Sequence, residues 1–363
     1  MTQPNDPIEP GESELAAADG EDEGSSPIPS ADAMLQEIAS DRPIEYEHLR
    51  ALSEPTDEVV GRVMRLWPQL RPERRREVLA KLLQLAEDHA PLDFHRIHLS
   101  ATRDEDVATR ILAVRGLWEQ ERPEYMHLLL RQLRSDPEPS VRAEIADALS
   151  RWVITAEFGL LPEEELEELN SVLRETIEDI EETDEVRGRA LEALGAWSDE
   201  SVAELLSDMY ELGNQRLRVA AIRGMGRNAS ESWLPILIYH FDDDDAEIRA
   251  VSATAAGNLL AEDAVAPLIM LLEDTEEDVQ VAAIRALGEI ANEESERVLT
   301  RMLRERSEPH IRDAVQEALA EVKLLTMPLS DEGGRAPHFG PLSELDQNIA
   351  DGVEQNEDEE GEF

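Results

Sequence analysis

The constraint that most narrows what this chain can fold into is an internal repeat of about 31 residues. With Val279 in EEDVQVAAIRALGEI as the reference, equivalent anchors fall at Val78, Thr109, Val141, Val186, Leu217, Ile248, Val279 and Ile311. The steps between them are 31, 32, 45, 31, 31, 31 and 32 residues. Positions +4 (Leu82, Ala113, Ile145, Ala190, Ala221, Ser252, Ala283, Val315) and +8 (Ala86, Leu117, Leu149, Leu194, Met225, Ala256, Leu287, Leu319) are apolar or small. Position +7 is small in all but the first repeat: Leu85, Gly116, Ala148, Ala193, Gly224, Ala255, Ala286, Ala318. Offsets of 0, 4, 7 and 8 describe one face of an α-helix. Small side chains at +7 let a neighbouring helix come to the near end of the usual ~8–10 Å separation.

Each such helix is followed by a polar turn and a second apolar stretch, as in Ser201–Tyr210, Trp233–Phe241 and Ala264–Leu272. Acids gather just before the anchored helices, at Asp242 to Asp245, Glu276 to Asp278 and Asp184-Glu185. There a carboxylate can accept from free N–H groups and oppose the positive end of the helix dipole. Position +1 is arginine in six of the eight repeats, at Arg110, Arg142, Arg187, Arg218, Arg249 and Arg312. These arginines are expected to bridge to acids of adjacent repeats. Position +9 is Gly195, Gly226, Gly257 and Gly288 in four of them, where a helix begins to end. No segment alternates in the manner of a strand, so the fold class is all-α. A lone helix pair cannot bury its apolar face, so the pairs must stack into an α-solenoid.

The pattern D-x-x-V-R-x-x-A-x-x-A-L-G at this period resembles the HEAT repeat, in the short subtype named after phycobilisome lyases. It is clearest in Thr183–Gly195, Asp245–Gly257 and Glu277–Gly288, and covers roughly residues 70 to 325. The resemblance implies about nine helix pairs over residues 31–326, the first of them less regular. A longer loop and an extended second helix absorb the 45-residue step, around residues 155–182. It also implies that the second helix of each pair lines the concave surface.

The ends differ in composition. Residues 1–30 hold eight acids and no Lys or Arg, and residues 327–363 hold eleven acids against Arg335 alone. Both are expected to be disordered acidic tails, too poor in apolar residues to offset chain ordering. The whole chain has 83 acidic and 34 basic residues, a net charge of −49, so the segment between the tails is acidic as well. Such a charge argues against nucleic acid or an anionic membrane as partner. The longest apolar run, Ala264 to Leu272, has nine residues, well short of the ~20 that span a bilayer. With no basic n-region in the first thirty residues either, the expected location is cytoplasmic.

Candidate chemistry is sparse. Without cysteine there is no thiolate nucleophile and no Cys-ligated metal. His95 and His98 stand at i, i+3 without a second pair of ligands, and none of the eight histidines precedes a glutamate, as repeated metal-binding dyads of HEAT-type hydroxylases require. Four adjacent aspartates at Asp242–Asp245 suit a helix start better than a calcium loop. No catalytic, cofactor-binding or metal residue is therefore assigned, and no cofactor is expected. Trp152 and Trp197 share position +11 with Leu259, Ile290 and Val322, a packing column, and Trp118 is read in the same way.

The candidate partner-binding residues are Trp233, Tyr239, Phe241, Tyr210 and Tyr125 on second helices, with Arg223 and Arg227 from a basic island. The leading reading is a non-enzymatic scaffold binding a protein or peptide on the concave face. One alternative is an acidic chaperone or mimic shielding basic proteins. The other is a lyase or hydroxylase subunit related to the phycobilisome lyases. The oligomeric state is left open. The register has a direct consequence: Ala283→Glu, which forces a carboxylate into the buried +4 position, lowers the melting temperature far more than Glu289→Lys at the solvated +10 position. Equal melting temperatures would count against the register.

Overall fold

The computed structural model describes residues 28–326 apart from residues 41, 90, 229 and 307. The expected acidic tails, residues 28–30 excepted, lie outside the described residues. Among the described residues there is no strand, and helices follow one another throughout. They are α1 (Ala31–Ala39), α2 (Asp57–Leu66), α3 (Pro72–Asp88), α4 (His95–Ala101), α5 (Val107–Arg115) and α6 (Pro123–Leu133). Next come α7 (Pro139–Ala148), α8 (Ser150–Glu157), α9 (Glu163–Glu178), α10 (Asp184–Leu194), α11 (Glu200–Leu212) and α12 (Gln215–Arg227). The series ends with α13 (Leu234–Tyr239), α14 (Ala246–Asn258), α15 (Val265–Leu271), α16 (Glu277–Ile290), α17 (Glu293–Glu305) and α18 (Pro309–Thr326). The architecture is an all-α solenoid.

The eight anchors fall on α3, α5, α7, α10, α12, α14, α16 and α18, and every anchor and every +4 residue is buried. These anchored helices form one continuous layer, each packed on the next. The layer is tight because glycine and alanine meet there. A Cβ on Gly195 would lie 2.7 Å from the Cα of Gly224, and one on Gly226 or Gly257 would lie 2.6 Å from the Cα of Ala255 or Ala286. The intervening helices α6, α9, α11, α13, α15 and α17 carry large side chains and touch one another far less across repeats. A stack whose layers differ in spacing bends toward the tighter one. The concave surface is therefore lined by the anchored helices, and the placement of the second helices on that surface is corrected.

Side-chain caps start many helices. Asp106, Asn214, Asp245 and Asn292 accept from backbone N–H groups of α5, α12, α14 and α17 at 2.9–3.2 Å, and Thr183 caps α10. Asp245, the last of the four adjacent aspartates, is one of these caps, and Asp243 accepts from the N–H of Asp245 and from His240. Proline begins α3, α6 and α7, where the missing N–H costs nothing.

The +1 arginines clamp the turns. Arg249 reaches forward from α14 and grips Asp274, in the turn after α15, through Nε and Nη2 at 2.8 Å each. Its Nη1 meanwhile donates to the carbonyl of Asp243 in the preceding turn. Arg110 repeats this with Asp136 at 2.9 Å and with the Asp104 carbonyl. Arg142 does so with Glu182 and the Asp136 carbonyl. Arg187 and Arg312 instead donate to carbonyls near the end of the preceding second helix, at Ile177 and Leu303. Each clamp joins two successive turns, so repeat spacing is held by directed charge-assisted bonds as well as by packing.

The extra length between α7 and α10 is taken up by α8 and the sixteen-residue α9, joined through Gly159 at φ +65°. The clamp has a measurable consequence. The Arg249 hydrogen bonds hold the Asp274 carboxyl below the usual aspartate range. A lowered pKa means stability that is present above the unfolded value and lost as pH falls through the folded one. Asp274→Asn should therefore cost about 1–3 kcal/mol at pH 7. In urea titrations the difference from the wild type should shrink as pH drops below ~4.

Candidate binding groove

The concave layer carries a continuous groove. One stretch, of about 580 Å³, lies over α3, α5, α7 and α10 and includes Trp118, Ala148 and Arg151. A second, of about 460 Å³, runs over α10, α12 and α14, and shares Glu185 and Arg189 with the first. A third, of about 470 Å³, lies over α12, α14 and α16 and shares Arg223 with the second. Its walls are largely small: Ala250, Val251, Thr254, Ala282 and Ala286.

The middle of the groove is organised around Glu192, which is only 3% exposed. Arg189 and Arg223 reach its carboxylate at 3.1 and 3.2 Å, and Arg227 donates to its backbone carbonyl at 3.4 Å. Arg223 also meets Glu247 at 3.7 Å, while Arg189 and Arg227 each approach Asp147 at 3.9 Å. Two guanidinium groups thus share one buried carboxylate, and a third holds the backbone carbonyl of the same residue. The basic island was partly legible in sequence, and Arg223 and Arg227 do line the groove. Glu192 was not singled out; its signal would have been an acid on the apolar side of a first helix.

The aromatic candidates are placed otherwise. Trp233 is buried, 7% exposed, with its indole N–H donating to Asn228 at 3.0 Å. Phe241 is buried at 5% exposure. Both belong to the core beneath α13, so their expected role as exposed anchors is corrected: turns flanking a six-residue helix drive large rings inward. Tyr210 is half-buried, with its hydroxyl 2.8 Å from His240 Nε2. Tyr125 is half-buried and meets the edge of His95. Tyr239 is the exposed one, at 76%, but like Tyr125 and Tyr210 it stands on a second helix and not in the groove. Trp152 is fully buried and donates to the Glu121 carbonyl, and Trp197 is half-buried. Trp118, read as packing, is instead 45% exposed at the groove surface.

The histidine pair does not converge. His98 is sealed against Gly116, where a Cβ would meet its ring at 2.0 Å, and burial pushes its pKa down to about 4. His95 turns to Asp93. No group of three potential metal ligands occurs among the described residues. No helix among them is long and apolar enough to cross a membrane.

A solenoid of helix pairs with a groove on its tighter layer defines the class of protein. The family model of HEAT repeats matches residues 170–257, 211–278 and 234–320, so this part of the solenoid is built of HEAT repeats. No curated protein matches it by sequence. Among solved structures it is similar to YibA of Escherichia coli, at 15% identity over 77% of this chain and 99% of that one, with a TM-score of 0.40. It is also similar to the CpcE–CpcF complex of phycocyanin lyase from Nostoc, at 13% identity over 64% and 96% of the chains and a TM-score of 0.43. Human deoxyhypusine hydroxylase gives 17% identity over 81% and 96%, with a TM-score of 0.33. Likeness at this level says nothing about activity.

Glu289 also differs from expectation. It is half-buried at the groove wall, and its Oε2 has no hydrogen-bond partner. The atom occupies the space left by Gly257, whose Cβ would come within 2.4 Å. Replacement by lysine is therefore not the neutral change a solvated face would allow. Burial, and then the charge of Glu321, push its pKa up to about 7 against the opposing pull of Arg285. A raised carboxyl pKa means that the folded protein keeps a proton the unfolded chain releases, so stability declines as pH rises from 4.5 toward 7. Glu289→Gln should match the wild type near pH 5 and exceed it at pH 8 by on the order of 1 kcal/mol, discounted for partial exposure. Melting curves across that range check the sign.

Proposed function

We propose that this chain is a non-enzymatic scaffold that holds an extended segment of another protein along the concave groove. The observation that carries this reading is the charge pattern. The three groove stretches are lined by seven arginines and nine carboxylates, close to balance, within a chain of net charge −49. The excess acid stands elsewhere: α9 has seven acids against one arginine, and α11 has four against none. A nearly neutral, preformed groove of small side chains suits a polypeptide, whose backbone and mixed side chains it can approach without large ordering costs on the solenoid side. The cytoplasm remains the proposed location.

The exposed acids of α9 favour the second reading, a shield for basic proteins. The two separate by mutation. Thr254→Arg and Ala282→Arg fill the groove from an exposed and a half-buried position, and should shift stability by no more than about 0.5–1 kcal/mol. On the scaffold reading they abolish co-purification of the partner, while Tyr239→Ser and the pair Glu164→Lys and Glu167→Lys leave it intact. Binding that ignores the groove variants, is lost on α9 charge reversal and collapses between about 0.1 and 1 M salt, as the screening length shortens from ~10 to ~3 Å, would replace the groove with the acidic outer face.

A further inference from the structure

The 580 Å³ stretch of groove between α5 and α7 differs from its neighbours in one column. In the later repeats, the +9 glycine of one anchored helix lies against the +7 residue of the next: Gly226 on Ala255, Gly257 on Ala286 and Gly288 on Ala318. The same column holds Trp118 after α5, opposite Ala148 on α7, and both line this stretch. An indole cannot occupy the space of a hydrogen atom. The two helices stay apart, Ala148 is left half-buried where Ala255, Ala286 and Ala318 are buried, and the gap remains as a cleft.

The cleft also holds an arginine without an ion-pair partner. Arg151 donates through Nε to the Ala148 carbonyl at 2.9 Å and through Nη1 to the Leu117 carbonyl, and its guanidinium lies 4.9 Å from the centre of the Trp152 ring. Among the described residues no carboxylate pairs with it. Burial pushes its pKa down to about 10, although the charges of Asp147 and Glu121 act the other way. The neighbouring acids are engaged: Glu144 is gripped by both donors of Arg115 at 2.8–2.9 Å, and Asp147 stands between Arg189 and Arg227. Glu87 and Glu185 lie at the two outer ends, on α3 and α10. The floor of the cleft therefore carries one largely desolvated positive charge with no carboxylate in contact with it among the described residues.

We propose that this cleft is the specificity anchor of the groove, binding a carboxylate side chain of the partner segment at Arg151 with an adjacent apolar side chain packed on Trp118. The inference rests on the groove-binding reading and specifies the chemistry of the partner. A guanidinium that is already partly desolvated and held by two carbonyls loses little on accepting a carboxylate, and charge-assisted pairs of this kind are the stronger hydrogen bonds. Exposed tryptophan beside arginine is the composition in which interface energy concentrates.

The experiment uses the full chain and a phage-displayed library of random twelve-residue peptides. Peptides enriched on the wild type should share an Asp or Glu next to an apolar residue. The synthetic form of the enriched peptide should lose at least tenfold in affinity when its acid is changed to Gln, and a similar factor on Trp118→Ala. Arg151→Gln should remove the preference for the acidic over the Gln peptide. The peptide substitution reads the contact without altering the protein, so a destabilised Arg151 variant does not blur the result. Peptides that are lost on Thr254→Arg but lack an acid, or bind equally after its change to Gln, would overturn the anchor and leave the groove standing. Peptides indifferent to Thr254→Arg, Trp118→Ala and Arg151→Gln alike, or no enrichment at all, would overturn both.

Discussion

Much of this structure depends on how closely the anchored helices approach one another. Backbone contact between Gly195 and Gly224, and between Gly226 and Ala255, is possible only because no Cβ intervenes. That contact makes one layer of the solenoid shorter than the other. Curvature follows from the difference, and the groove follows from the curvature. The same constraint explains its irregularity, since a side chain as large as Trp118 in the glycine column prevents close approach locally and leaves about 580 Å³ there, against about 460 and 470 Å³ over the later repeats.

Electrostatics is arranged around this packing. In three of the turns an arginine and an acid neutralise each other, as Arg110 with Asp136 and Arg249 with Asp274, so part of the acidic charge contributes to repeat spacing. In the groove the arginines of α10 and α12 converge on Glu192. Much of the excess acid is carried by α9 and α11, where water screens it. A chain of net charge −49 can thus present a groove of nearly balanced charge, because sign is sorted by helix face.

The repeat register, the helical fold class and the identity of the buried columns were legible in the sequence. A period of 31 residues with apolar offsets of 0, 4, 7 and 8 admits only stacked helix pairs, and burial of all eight anchors agrees with it. The turn arginines were legible too, as a recurring +1 position facing recurring acids. Part of the candidate site was visible in the same way, since Arg223 and Arg227 stood out in an acidic chain.

Which layer is concave was decided only in three dimensions. Periodicity says that a residue is on a buried or open face of its helix, and it says nothing of which side of the stack that helix occupies. The aromatics of the second helices were consequently assigned to the wrong surface, and Trp233 and Phe241 proved to be core because their short flanking turns direct the rings inward. Glu289 and Trp118 show the complementary limit. For each, the environment is set by a neighbour about 30 residues away, Gly257 for one and Ala148 for the other. Sequence determined the repeat, because helical period is a local property; the tertiary structure decided the groove and its charges, because those depend on the distance between helices.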